Sequence, residues 1–265
     1  MPLDDRALDA ASALLIDCRE RGAVIAALPD ALRPTTRTEG YAVQARIERT
    51  SAAPLFGWKI AATSPAGQAH IAVDGPLAGR LLAERVIADG GICPFGANRM
   101  RVAEVEFAFR MGATLAPRAT PFERDEVLTA VATLHPAVEI PDSRFEPFEQ
   151  AGAPQLIADN GCANYFVLGP ATTADWRAID LAAHVTSGRI NDDAPLPGIG
   201  RNVLGDPRDA LTWLANELSA HGLALAAGQV VTTGTCVIPM PIAPGDRVRG
   251  DLGTIGSVSV TMGTS

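Results

Sequence analysis

The chain has no Cys-x-x-Cys pair. Its four cysteines, Cys18, Cys93, Cys162 and Cys236, are scattered, which excludes the usual zinc spacings and a disulfide frame and predicts reduced thiols in a cytoplasmic protein. No apolar run approaches the roughly 20 residues of a membrane span. The opening Met1-Pro2-Leu3-Asp4-Asp5 lacks the basic region of a signal peptide. Basic clusters are missing as well. Lys and Arg total 22 against 30 Asp and Glu, for a net charge of −8, so neither nucleic acid nor an anionic membrane is an expected partner. His70, His135, His184 and His221 have no metal spacing, and no Gly-x-Ser-x-Gly elbow supports a serine hydrolase. Gly198-Ile-Gly200 fails as a dinucleotide loop, because position 203 is valine and a proline-rich loop precedes it where a strand is required.

What is present is the material of a globular enzyme-sized chain: 265 residues, 47% hydrophobic and 20% charged. Asp4 and Asp5 open a helix with the stripe Leu8, Ala11, Leu14, Leu15 and Cys18, and Gly22 is its expected C-terminal cap. Thr38 is the expected cap of a second helix. Residues 1–55 therefore read as a helical lead-in, and residues 56–265 as the main domain. In that domain strands are expected at Leu55–Ile60, Val86–Ala88, Ala137–Ile140, Tyr165–Leu168, Leu181–Ile190, Val230–Thr233, Val248–Arg249 and Ser257–Met262. Helices are expected at Glu123–Leu134, ended by His135-Pro136, and at Pro207–His221. Helices first, then many strands with two helices between them, is an α+β pattern with a mainly β core.

Arg101 to Met111 carries the chemistry. As a strand it puts Val105, Phe107 and Phe109 on one face and Glu104 and Glu106 on the other. The two glutamates then sit roughly 7 Å apart at Cα level. Like charges so close repel unless a cation lies between them, and a hard divalent cation takes such oxygen ligands. A solvated acidic edge strand is the alternative. Glu139, at the end of a short strand between Pro136 and Pro141, could complete a set of three oxygen ligands. Lys59 lies on an apolar strand between Trp58 and Ile60, either as a strand-edge lysine or as a cation beside an anionic substrate.

Taken in order, several segments resemble the 2-keto-4-pentenoate hydratase family, which includes 2-oxohepta-3-ene-1,7-dioate hydratase and is a branch of the fumarylacetoacetate hydrolase superfamily. They are Tyr41-Ala-Val-Gln44, Gly57-Trp-Lys59, Glu104-Val-Glu106-Phe-Ala108, Pro136 to Arg144, Asp159-Asn160, Phe166 to Gly169, Trp213 to Asn216, Thr233-Gly-Thr235, Pro244-Gly-Asp246 and Gly256 to Val260. The resemblance implies a mixed β-roll or barrel core behind a smaller helical part, and a homo-oligomer. It implies Mg2+ (or Mn2+) on Glu104, Glu106 and Glu139, with Lys59 catalytic. Leu77, Ala78, Asn160, Cys162 and Thr235 are the implied substrate-binding positions. The implied reaction is addition of water to a 2-hydroxy-2,4-dienoate or 2-oxo-enoate, a small 2-oxo acid of aromatic catabolism. The same site would serve a 4-oxalocrotonate-type decarboxylase or an acylpyruvate C–C hydrolase, or persist in a non-catalytic relative. Two departures bear on substrate. Leu77 and Ala78 stand where the hydratases carry Asp and an aromatic residue, and Gly161-Cys162-Ala163-Asn164 follows Asp159-Asn160 where small polar residues are usual.

Overall fold

The computed structural model describes residues 2–264; Met1 and Ser265 lie outside it. Helix α1 (Asp5–Arg21) starts where the Asp4 side chain accepts from the Ala7 N–H and ends at Gly22, in the left-handed conformation at φ 62°. Helix α2 (Arg37–Ala45) is capped by Thr36, not by Thr38. The reason is reciprocity. Glu39 stands three residues after Thr36 and returns a bond to its backbone, closing a capping box, whereas Thr38 is already inside the first turn.

The chain continues through β1 (Gly57–Ala61), α3 (Pro65–His70), β2 (Leu77–Leu81), β3 (Val86–Ala88), β4 (Ile92–Cys93), β5 (Val102–Met111), α4 (Arg124–Thr129) and β6 (Val131–Ile140). Then come α5 (Ala153–Ala158), β7 (Tyr165–Leu168), β8 (Val185–Ile190), β9 (Leu196–Ile199), α6 (Pro207–Ala220), β10 (Val230–Thr235), β11 (Met240–Pro241), β12 (Arg247–Asp251) and β13 (Ser257–Met262). One curled sheet has the order β2-β1-β10-β5-β6-β7-β3, with β11 also on β5. It is mixed, since β1–β10 and β3–β7 are parallel and the other neighbours antiparallel. A second sheet, β4-β13-β12-β8-β9, packs on its outer face, close enough that a Cβ at Gly250 of β12 would lie 2.9 Å from Val105. This is the α+β roll expected from the sequence. Val105, Phe107 and Phe109 are fully buried, each worth about 1.5–3 kcal/mol. No helix among the described residues is long and apolar enough to cross a membrane.

Two expected elements are different. The helix at Glu123–Leu134 is only α4, and its last residues belong to β6, which runs straight through His135-Pro136. An apolar run such as Val131 to Leu134 suits either state, and pairing with β5 decides it. Pro136 is tolerated because its carbonyl accepts from Gly169 N at 2.9 Å. Its nitrogen thus faces the β7 side, beyond the last β6–β7 pair, and no bond to β5 is lost. Expected at Leu181, β8 begins only at Val185. β2, β4, β9 and β11 are additional to the expected strands; β2 sits in a glycine- and proline-rich stretch that reads as loop.

The leading helices lie against the sheet. Gln44 of α2 donates to the carbonyls of Ala78 (2.8 Å) and Ile157 (2.9 Å), tying α2 to β2 and α5. Gly40 lets α2 and α5 meet, since a Cβ there would lie 2.5 Å from Pro154 O.

Candidate active site

Register decides which side chains share the inner face of the curled sheet. Glu104 pairs with Glu139, Thr235 with Glu106, and Lys59 with both Thr232 and Gly79. Directly paired residues point to the same side. Four neighbouring strands thus bring Lys59, Glu104, Glu106 and Glu139 to one face. Carboxylate oxygens of the three glutamates lie within 4.8 Å of one another. Lys59 Nζ is 3.0 Å from Glu139 Oε1. Deeper on this face, Leu81, Ala108, Ala137, Phe166 and Val230 form a separate apolar cluster that closes the floor.

The acidic group is held, but not satisfied. Glu106 Oε2 accepts from the Thr232 hydroxyl and from Gly234 N at 2.7 Å. Gly234 sits at φ 95° in the bulge between Thr232 and Thr235, and a Cβ there would lie 2.0 Å from Thr63 Oγ1. Only glycine fits. Glu106 Oε1 and both Glu139 oxygens are buried without a hydrogen-bond donor; the Lys59 contact is a charge contact outside hydrogen-bond alignment. Burial pushes the Glu104, Glu106 and Glu139 carboxyls up, and at Glu106 the repulsion of Glu139 and Glu104 adds to it. Buried oxygens without donors, all from carboxylates and converging on one point, fit a hard divalent cation.

Lys59 is the only lysine of the chain. It is buried, and its ammonium donates to Gly161 O at 2.9 Å. Burial works against its charge, but Glu139, Glu104 and Glu106 outweigh burial and raise its pKa. Gly161 is the middle of three successive left-handed residues, Asn160 (φ 60°), Gly161 (φ 59°) and Cys162 (φ 61°). Such a turn persists only where its surroundings over-determine it. Here the Asp159 carboxylate takes bonds from Ser143 Oγ (2.9 Å), Arg144 N (2.9 Å) and the Arg144 guanidinium, all buried. Breaking such a pair costs about 3–5 kcal/mol. At Gly79 a Cβ would lie 2.2 Å from Asn160 O and 3.0 Å from Lys59 Cγ, so β2 needs a glycine opposite the lysine.

The remaining expected site residues are placed as follows. Leu77 pairs with Ala61 on the Lys59 side, whereas Ala78 alternates to the opposite side, towards α2, and its N–H donates to Tyr41 Oη at 3.2 Å. The Asn160 amide is engaged with the β2 backbone, accepting from Arg80 N (2.6 Å) and donating to Arg80 O (2.8 Å). Cys162 is buried, and burial pushes its thiol up to about 12, so it is a neutral neighbour of Lys59. Thr235 Oγ1 donates to Val237 O beside Glu106. Sequence reasoning does not reach Gly161 O, Thr232 or Gly234. An Asn-Gly pair and a glycine inside a strand are the signals that point to such a turn and bulge.

The raised carboxyls give a signed pH dependence. A cation binds the deprotonated form, so Mg2+ affinity is expected to rise with pH and binding to release protons. Without metal the folded protein binds more protons than the unfolded chain, so its stability falls as pH climbs from the ordinary carboxylate value of about 4.3 through the raised folded values. Calorimetry in two buffers of different ionisation enthalpy measures the protons released. None at neutral pH would contradict this.

The profile of the family described as fumarylacetoacetate (FAA) hydrolase C-terminal matches residues 83–262. The chain is 34% identical over 256 residues to 2-keto-4-pentenoate hydratase 1 of Dechloromonas aromatica (strain RCB), covering 95% of each chain. It is 32% identical over 219 residues to 4-oxalocrotonate decarboxylase of Pseudomonas sp. (strain CF600), covering 80% of each. The solved structure of 4-oxalocrotonate decarboxylase from Pseudomonas putida G7, complexed with magnesium and adipate, superposes with a TM-score of 0.88 at 26% identity, covering 98% of each chain. In sequence and fold alike, this chain belongs to the fumarylacetoacetate hydrolase family.

Proposed function

We propose that the protein is a divalent-metal-dependent hydratase, a hydro-lyase that adds water to a 2-hydroxy-2,4-dienoate or 2-oxo-enoate in aromatic catabolism. Supporting it are relatives named as hydratases over nearly the whole chain and three converging glutamates, Glu106 and Glu139 buried and Glu104 half-buried, beside one buried lysine. Glu104, Glu106 and Glu139 would hold Mg2+ (or Mn2+), which supplies Lewis-acid polarisation of a 2-oxo acid when bound. Lys59 keeps its proton and is placed to neutralise the substrate carboxylate or donate to the carbon skeleton. Gly161 O orients the ammonium. The apolar floor keeps water from competing at the inner end of the site.

One observation favours hydration of a monoacid over decarboxylation of an oxalocrotonate. Two strand-borne cations face this side among the described residues: Lys59, beside the three glutamates, and Arg110, further along β5 and occupied by Gly228 O and the Phe56 ring. A second carboxylate would find no strand-borne partner there among the described residues. Four buried cysteines fit a reducing cytoplasm. The exposed Ile92, Val185, Leu196 and Ile238 fit a homo-oligomer.

The test is Mg2+-dependent loss of dienol absorbance with formation of a 4-hydroxy-2-oxo acid. Carbon dioxide release from oxalocrotonate instead would overturn the reading. Leu77, fully buried on the Lys59 side, replaces a carboxylate with an apolar wall. A more apolar substrate than 2-hydroxypenta-2,4-dienoate is therefore expected, with no added room, since Ala78 faces α2, and Leu77→Asp should raise activity on that small dienoate. A wild-type efficiency there of about 10⁴ M⁻¹s⁻¹ or more would show that Leu77 imposes no such limit.

A further inference from the structure

Away from the glutamates, a cleft of about 160 Å³ opens between α1, the 3-10 turn after α2 and the segment before β3. Arg19 and Arg85 line it with Glu20, Ile47, Thr50 and Glu84. Its volume is well above the roughly 10–15 Å³ that one water needs. Neither arginine has a carboxylate within ion-pair distance among the described residues, although two carboxylates line the same cleft. Glu84 is turned away, accepting from Ser51 Oγ and Ala52 N. Arg19 makes one long bond, from Nη2 to Ala163 O at 3.4 Å, and its Nε is buried with no acceptor. Arg85 is fixed by stacking on Tyr165, 5.0 Å from the ring centroid. Burial, then Arg144 and Arg85, pull the Arg19 pKa down to about 9, against the attraction of Asp159. Arg144 adds to the local positive field, and its own Nη1 also lacks an acceptor.

A guanidinium nitrogen buried without an acceptor, as at Arg19 Nε, is costly, and two unpaired forks beside one cleft match the paired oxygens of a carboxylate or phosphate. We propose that Arg19 and Arg85 form a binding site for a compact oxyanion, separate from the glutamate site. It lies behind the turn that presents Gly161 O to Lys59, because Arg19 contacts Ala163, two residues beyond Gly161.

Calorimetry of the Mg2+-loaded protein with orthophosphate and, separately, with succinate tests this. Saturable binding of at least one anion is expected at millimolar concentration, with a rise in Tm of a few degrees near saturation. Preference for phosphate or for succinate tells which oxyanion source the site serves. Arg85→Gln and Arg19→Gln should each weaken that binding about tenfold or more, the scale of a lost charge-assisted bond. Arg85 makes no ion pair and is partly exposed, so its variant reports even if Arg19→Gln folds poorly. No saturable binding of either anion, or equal binding by wild type and Arg85→Gln, would overturn the assignment. The second result would place the anion at the catalytic face instead.

Discussion

Lys59→Met is expected to lower turnover by about 100-fold or more, the usual scale for a positioned acid or electrostatic group. Mg2+ affinity should not fall with it. Lys59 repels a cation at the glutamates, so at a pH where their carboxyls are ionised its removal takes away a repulsion and no ligand. Loss of turnover with unreduced Mg2+ affinity therefore separates a catalytic lysine from a structural one. Arginine is not an equivalent, because its fork cannot fit where Gly79 leaves room only for the lysine stem and Gly161 O receives a single ammonium. The composition offers a second check. With one lysine in the chain, amine-selective modification outside the N-terminus reports on Lys59 alone. A substrate analogue should protect it. Near-native kinetics in Lys59→Met would reduce it to a strand residue.

The lone lysine is legible in the sequence itself. Of the 22 Lys and Arg residues, all but Lys59 are arginines. A chain that uses arginine everywhere else and lysine once marks a place where a compact, titratable amine is needed. The Glu104/Glu106 pair is legible because strand alternation is strict, and β5 obeys it. That Glu139 stands directly across from Glu104 is not. It depends on the register of β6, whose first residues read as helix and whose proline reads as a stop. Thr36 shows the same limit at short range, since two threonines near α2 look alike until Glu39 chooses one. Ala78 shows it at the site. Neighbours in sequence face opposite sides of β2, so only Leu77 shares the Lys59 face. The turn at Asn160 to Cys162 needs the buried Arg144–Asp159 pair, a tertiary contact that no local pattern announces.

Glu106→Gln should weaken Mg2+ binding by roughly 100-fold or more, the order expected when one of three charged ligands is lost. The fold should survive, for a specific reason. The oxygen of Glu106 that accepts from Thr232 and Gly234 N is reproduced by the amide oxygen of glutamine, so neither donor is orphaned. The other oxygen, which has no donor, becomes an amide nitrogen among acidic neighbours. Without metal the variant should melt no lower than wild type at neutral pH. It lacks a buried carboxyl whose charge is opposed by burial and by Glu139 and Glu104. With Mg2+ the order reverses, because only wild type gains the stabilisation that metal binding gives the folded state. The paired Tm values therefore cross, which a generally damaged variant cannot imitate. Glu139→Gln provides the contrast, since it also strips Lys59 of its 3.0 Å partner and should disturb the lysine as well as the cation. Calorimetry showing unchanged Mg2+ affinity in Glu106→Gln would remove Glu106 from the metal site, and its two donors would then be holding a carboxylate for some other purpose.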